Sequence, residues 1–248
     1  MRRFGDVESM RATVEMQIAV LSDDRKKRTE YTDVRGAIVI RRPGFIRAQA
    51  DVPVTGQRAL DMVSDGKTFK VHLPWNKRFF TGLNEVESPS EKRLENIRPQ
   101  HILDALMIDP PADDESAVLD NVVDGNSAYH VVVFERQDSD GKRYITRKIW
   151  FDRVRLDLSR VQIYARDADV VTDARYMGWS EENSLPWAQT VVITRITDGY
   201  TLSVTTLKPG LNQDVPDASF ELEPPDGIKV EKLGADNPDN ATAQAVND

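Results

Sequence analysis

The segment from Asp61 to Gly82, DMVSDGKTFKVHLPWNKRFFTG, decides the fold because it has the pattern of a β-hairpin. Asp65 and Gly66 form a pair that tolerates the positive φ angles of a tight turn, and alternating sequences flank the pair on both sides. Every second residue from Phe69 to Leu73 is apolar, which predicts a strand with one polar and one apolar face. The function of the protein depends on what covers that apolar face.

The same period of two recurs over most of the chain. It begins in residues 9–20, SMRATVEMQIAV, continues through short strands to residue 82, and returns from residue 117 to residue 207. Between these runs, the sequence SPSEKRLENIRPQHILDALMID at 88–109 predicts a helix that has Ser88 as its N-cap and is kinked or restarted at Pro99. About a dozen strands with one helical interruption predict a mainly β fold, a curled sheet or a barrel.

Composition excludes several classes of protein. The net charge of −8 gives no overall attraction to nucleic acid, although residues 1–101 carry 19 Lys and Arg against 14 Asp and Glu. The absence of cysteine excludes a disulfide framework, a thiolate nucleophile and a cysteine metal site. The chain has no run of about 18 apolar residues, which is the length that a membrane-spanning helix needs.

The pattern of polar residues predicts no enzyme, no metal and no cofactor. The three histidines, His72, His101 and His130, lack metal-ligand spacing, and the chain has neither a nucleophile-elbow motif nor a glycine-rich phosphate loop. The acidic run from Asp109 to Glu115 is interrupted by two prolines and fits no calcium loop, so it is typical of a solvated turn.

Three segments taken together carry a resemblance to a known family. They are GAIVIRRPGFIRAQ at 36–49, MVSDGKTFKVHLP at 62–74 and FELEPPDGIKV at 220–230. In this order and at these spacings they resemble the LolA/LolB family of bacterial outer-membrane lipoprotein carriers and receptors. The resemblance implies an open antiparallel half-barrel of about eleven to thirteen strands, with short helices covering its concave face and a hydrophobic cavity for acyl chains.

The resemblance also implies a domain organisation. Residues 9–230 are expected to form a single LolA-like lipid-binding domain. Residues 1–8 are expected to be the remnant of an N-terminal helix or linker. Residues 231–248 lack a periodic apolar pattern and are expected to form a disordered tail.

The lipid-binding residues implied by the resemblance lie on two elements. The sheet would contribute Val34, Ile38, Ile40, Leu60, Met62, Phe69, Val71 and Leu73, and the helix would cap them with Ile102, Leu103, Leu106 and Met107. An ordinary packed core would use the same residue types. Arg42 matches the arginine that holds the lid closed in the carrier; a solvated arginine at the rim is the open alternative.

Val52 and Val54, in ADVPVTGQ, occupy the place where the receptor branch carries an apolar loop that touches the membrane. The resemblance therefore implies a membrane contact here. The alternative is that both valines end a core strand.

The function implied is binding of acylated cargo, a lipoprotein or a lipid, for transport to the outer membrane. The expected location is the periplasm, either free or anchored to the outer membrane through an N-terminal lipid, and the expected state is a monomer. Expected partners are the cargo, an inner-membrane export complex and the outer-membrane surface, without nucleic acid. The alternative is a LolA-like envelope-stress sensor or regulator that binds lipid or misfolded outer-membrane polypeptides.

Overall fold

The computed structural model describes residues 5–21, 28–30, 33–84 and 96–233. The predicted helix start at Ser88 lies outside these residues, as do residues 1–4 and residues 234–248 of the predicted tail.

Strands make up most of the described chain, together with one α-helix and two short 3-10 turns at Pro74–Asn76 and Asp217–Phe220. The helix, α1, spans Pro99–Leu106. The strands are β1 (Ser9–Leu21), β2 (Arg28–Glu30), β3 (Val34–Arg41), β4 (Phe45–Asp51), β5 (Arg58–Ser64), β6 (Thr68–Leu73), β7 (Arg78–Leu83), β8 (Ser116–Asp124), β9 (Ser127–Gln137), β10 (Arg143–Asp152), β11 (Leu158–Tyr164), β12 (Val170–Glu182), β13 (Leu185–Arg195), β14 (Tyr200–Leu211) and β15 (Val230–Leu233).

The chain divides into two compact units, which are described separately. Unit A comprises residues 8–14, 34–103 and 208–248, and unit B comprises residues 1–7, 15–33 and 104–207. Strands β1 and β14 contribute residues to both units. The expectation of a single domain over residues 9–230 stays a prediction.

The strand order confirms the predicted fold class, mainly β with an open antiparallel sheet. Over the described residues the hydrogen-bonded order is β15-β7-β6-β5-β4-β3-β1-β14-β13-β12-β11-β10-β9-β8, and β2 pairs with β1 beside this path. The fifteen strands exceed the eleven to thirteen expected. Two of the additions are short: β2 has three residues and β15 has four.

The prediction of a disordered tail over residues 231–248 is wrong for its first three residues. Val230–Leu233 form β15, which pairs in parallel with β7 from Phe79 to Gly82. The backbone hydrogen bonds of an edge strand fix this segment although its side chains show no long apolar pattern.

The two faces of the sheet in unit A follow from its antiparallel register. Cross-strand neighbours such as Ile40 with Ile46 and Met62 with Val71 point to one side, and the intervening residues point to the other. We call the first side the inner face, represented by Ile38, Ile40, Ile46, Met62, Phe69, Val71 and Phe80. The second side is the outer face, represented by Arg41, Arg47, Val63, Lys70 and Phe79.

Residues 212–229, which we call the outer strap, cross the outer face. Cations from three strands donate hydrogen bonds to main-chain carbonyls of the strap. Arg41 reaches Val215 at 2.8 Å, Arg47 reaches Ser219 and Glu221 at 3.3 and 3.2 Å, and Lys70 reaches Leu222 at 3.0 Å. Leu222 is buried against Val63 and Phe79, with Ile228 packed beside them. The segment FELEPPDGIKV thus belongs largely to a structural strap, whose apolar side chains complete a small second core.

The other two family-like segments meet through glycines. A Cβ atom on Gly44 would lie 2.8 Å from the Cα of Gly66, so the backbones of the β3–β4 and β5–β6 turns touch. Gly66 also has a φ of 91°, in the region that favours glycine. Asp65 holds this turn by accepting hydrogen bonds from the main-chain N–H groups of Lys67 and Thr68 at 2.8 and 2.7 Å. Partial burial raises the pKa of Asp65, but these bonds outweigh it and the pKa lies below the ordinary 3.8.

We expect Gly44→Ala to destabilise the protein by about 1–3 kcal/mol, because the new methyl group meets backbone atoms that no side-chain rotation can remove. Chemical denaturation measures this change in the free energy of unfolding. Gly5→Ala is the control, since a Cβ atom there meets nothing within 4 Å. Equal stabilities of the two variants would contradict the contact between the turns.

Candidate functional site: the covered apolar face

The structure brings most of the predicted lipid-binding residues of the sheet onto one surface. Ile38, Ile40, Met62, Phe69 and Val71 all lie on the inner face of unit A and are at most 2% exposed. The same alternation places Val34, Leu60 and Leu73 on this face, where they are partly buried. The predicted set therefore forms a continuous apolar surface, although its role in binding lipid stays a prediction.

A segment that we call the inner cover, residues 96–103, lies on this face in unit A. Its placement is fixed by Arg98, whose guanidinium carbon is 4.4 Å from the centroid of the Phe69 ring. Arg98 is itself 9% exposed, and Ile102 and Leu103 are 1% and 2% exposed. The inner cover therefore covers the inner face at Phe69, and it includes the first half of α1.

The second half of α1 belongs to unit B. Met107 is 2% exposed and Leu106 is partly buried. The main-chain carbonyl of Ala105 accepts a hydrogen bond from the Tyr176 hydroxyl at 2.7 Å. Burial, together with the nearby charge of Asp104, raises the pKa of Tyr176, so its hydroxyl stays protonated and keeps donating.

Arg147 fastens the segment that follows the helix in unit B. It donates to the carbonyls of Asp109 and Pro110 at 2.9 and 3.1 Å and to the carboxylate of Glu115 at 2.7 Å. Its guanidinium also lies 4.5 Å from the centroid of the Phe134 ring. One side chain of β10 thereby holds both ends of residues 109–115.

Glu115 corrects the expectation that the whole acidic run is solvated. Its side chain is only 5% exposed. Burial raises the pKa of Glu115, but hydrogen bonds from the main chain of Ala112 and from the side chains of Arg147 and Thr146 outweigh that effect and hold the pKa below the ordinary 4.5. The sequence pattern missed this pair because a buried glutamate and a solvated one look the same in an acidic run.

Arg42 lies in the turn after β3 rather than within the strand. Its main-chain N–H donates to the carbonyl of Glu8 at 2.9 Å, and the residue is partly buried. Its predicted part in holding a lid stays a prediction. Sequence reasoning did not select Arg98, which belongs to the inner cover and contacts Phe69 of the sheet, or Arg147, which binds the segment after α1.

Val54 stands at the tip of the β4–β5 turn with its side chain fully exposed, so the alternative of a core strand end does not describe it. Its φ of 73° is strained for a β-branched residue. Val52 is partly buried, and its N–H donates to the carbonyl of Gln57 at 2.7 Å across the turn. An ion pair of 2.9 Å between Arg58 and Asp51 closes the base. The predicted membrane contact of this turn stays a prediction.

Within the ranges that the structure describes, no group of three or more histidine and acidic side chains is placed to hold a metal ion. No helix among the same residues has the length and apolar character needed to span a membrane.

Solved structures share this fold. A LolA superfamily protein from Nitrosomonas europaea is 13% identical, with 88% of this chain and 91% of that chain covered and a TM-score of 0.54. A candidate outer membrane lipoprotein-sorting protein domain from Vibrio parahaemolyticus is 12% identical, with 88% and 92% covered and a TM-score of 0.52. A DUF1329 family protein from Desulfovibrio piger is 13% identical, with 89% and 92% covered and a TM-score of 0.55.

The chain therefore has a LolA-like fold, which confirms the resemblance found in the sequence at the level of fold. No protein-family model matches the chain. No curated protein matches it in sequence. At such low identity the similarity concerns the fold, and the function has to be argued from the residues.

We expect Arg98→Met to loosen the inner cover, because methionine keeps the apolar stem but removes the cation from the Phe69 ring. A partly buried cation–π contact contributes about 0.5–2 kcal/mol, which corresponds to roughly 2- to 30-fold faster hydrogen exchange of the α1 amides. Hydrogen exchange with mass spectrometry measures this rate. The exposed Arg155→Met variant is the control, and unchanged α1 exchange in Arg98→Met would show that the contact does not hold the cover.

Proposed function

We propose that this protein binds acyl chains of lipoproteins or lipids on the inner face of unit A and performs no catalysis. The observation that supports the proposal is the buried apolar inner face, on whose Phe69 ring Arg98 of the short inner cover lies. A short segment can move away and leave the sheet intact, since the strands hold one another through their own backbone hydrogen bonds.

The energetics favour an exchange between the cover and an acyl chain. Movement of the inner cover would expose the buried side chains of Ile102 and Leu103, at about 1.5–3 kcal/mol each. Burial of an acyl chain returns about 0.8 kcal/mol per methylene, so roughly four to eight methylenes offset the loss. Met62 on the sheet adds a flexible, polarisable surface that can adapt to a chain without a fixed shape.

The periplasm is the proposed location, because transfer of acylated cargo between membranes requires a shielded apolar site in the aqueous space between them. Cargo with two or three acyl chains faces a barrier of tens of kcal/mol to spontaneous transfer at about 0.8 kcal/mol per methylene. The proposed partners are the membranes and complexes that deliver and accept this cargo.

We expect a triacylated peptide to displace a fluorescent apolar probe from the protein, whereas the same peptide without acyl chains leaves the probe bound. The reason is that only the acyl chains match the inner face. Fluorescence titration measures the displacement, and the Arg98→Met variant should load the probe faster if the cover controls entry.

The other outcomes of this titration contradict the proposal in distinct ways. Equal displacement by both peptides would identify a polypeptide-binding protein, which is the sensor function. Absence of probe binding in the wild type and in Arg98→Met would show that the inner face is a permanent core.

We also propose that the exposed tip at Val54 contacts a membrane surface. The side chain of Val54 is fully exposed and its backbone is strained, so this residue does not stabilise the fold by burial. Its apolar side chain is therefore suited to contact an external apolar surface.

Val54→Gly tests this contact. If Val54 has a structural role, the substitution should lower the free energy of unfolding; if Val54 contacts a membrane, the substitution should lower membrane binding without lowering that free energy. Glycine relieves the positive φ, so the free energy of unfolding should stay unchanged or rise by up to about 1 kcal/mol. Binding to liposomes, measured by flotation, should fall because the apolar tip is gone. Thr55→Gly, one residue further along the same turn, is the control, and equal liposome binding by all three proteins would remove Val54 from the site.

A further inference from the structure

Strand β8 is an edge strand of unit B with an unusual lack of protection. Its nine residues pair with β9 in a continuous register from Ser116 opposite Glu135 to Asp124 opposite Ser127, without a bulge. Within the part of the chain that the structure describes, β9 is its only strand partner. Natural proteins protect such edges with charged residues, proline, bulges or short length; β8 has two aspartates but no lysine, proline or bulge.

Both faces of β8 present apolar side chains to water. Leu119 is 64% exposed and Val123 is 71% exposed on one face, and Val118 is 53% exposed on the other. Leu119 ends a cross-strand row of apolar residues that continues inward through Val132 and Ile149, the latter fully buried. A further strand beside β8 would extend this row and bury its exposed end.

The hairpin geometry identifies the backbone groups that are available. Gly125 and Asn126 form a two-residue turn, so Asp124 and Ser127 are the hydrogen-bonded closing pair. Hydrogen bonding to β9 then alternates along β8, and the odd-numbered residues from Ala117 to Val123 turn their N–H and C=O groups away from β9. The N–H of Asn121 points away from β9 but already donates to the carboxylate of Asp120 at 2.7 Å, so the available groups are those of Ala117, Leu119 and Val123 and the C=O of Asn121.

The charges of β8 indicate which kind of polypeptide segment would pair with it. Strand β8 carries two carboxylates, Asp120 and Asp124, and no cation. Arg136 on β9 pairs with Asp114 at 3.2 Å. Arg160, which interacts with Asp124, forms its ion pair with Asp173. A second copy of β8 would add two more carboxylates, and pairing centred on Asp120 would set that residue against itself. An extended segment that carries lysine or arginine would instead complement the edge.

We propose that β8 is a docking strand for an extended polypeptide in which apolar and basic residues alternate, added to the sheet by β-strand pairing. This site lies in unit B and does not depend on acyl binding to the inner face of unit A, so each proposal can fail without the other. Backbone hydrogen bonds to β8 would hold the segment, and its apolar residues would cover Leu119 and Val123.

The test uses the whole chain and a fluorescent peptide of about nine residues that alternates valine and lysine. We expect saturable binding in fluorescence anisotropy and slower hydrogen exchange of the β8 amides. The same peptide with alternate amides N-methylated should not bind, since it cannot pair along one edge. Replacement of its lysines by glutamates should weaken binding by about tenfold or more.

Leu119→Lys should weaken binding by a similar factor, because it places a cation at the edge and removes the exposed apolar contact. Ile196→Lys is the matched control, since Ile196 also belongs to unit B and is 53% exposed but lies outside β8. Thermal midpoints of the two variants verify that both fold. Binding of the N-methylated peptide, equal binding by both variants, or no saturable binding by the wild type would overturn the proposal.

Discussion

The alternation of side chains along β3 to β7 is the constraint on which the rest of unit A depends. A strand presents residues to both sides of its sheet, and here both sides carry apolar residues that must be kept from water. The outer strap, residues 212–229, packs on the outer face, and the inner cover, residues 96–103, contacts the inner face through Arg98 on Phe69. Two segments far apart in sequence therefore pack on opposite faces of one sheet. The proposed function of the unit depends on the contacts of each segment with its face.

The two covers are held in different ways. On the outer face, Arg41, Arg47 and Lys70 donate to main-chain carbonyls, so the strap is bound through groups that are present in any sequence. Such bonds set its path along the sheet, and Leu222 adds apolar burial. On the inner face, Arg98 rests on the Phe69 ring, a contact that requires these two side chains. The proposed exchange with an acyl chain would move the inner cover and leave the strap in place.

In unit B an arginine also holds a segment of irregular chain against the sheet, and β8 forms an edge of that sheet. Arg147 donates hydrogen bonds to two main-chain carbonyls and to the carboxylate of Glu115, and its guanidinium lies over the Phe134 ring. These contacts fix the segment after the helix onto β10. The described sheet then ends at β8, which pairs with β9 without a bulge and carries the carboxylates of Asp120 and Asp124. Unit B therefore combines a firmly held segment after the helix with an edge strand that has one strand partner among the described residues.

The sequence by itself determined the local structure: the period of two in the strands, the turn at Asp65 and Gly66, and the apolar face formed by residues such as Ile38 and Phe69. These follow from backbone geometry, which acts between close neighbours in the chain. Only the tertiary structure decided that Gly44 touches Gly66, that Arg98 lies on Phe69, that Arg147 holds the segment after α1, and that Glu115 is buried. Each of these depends on which distant segment lies against the sheet, and the period of a strand carries no information about its partner.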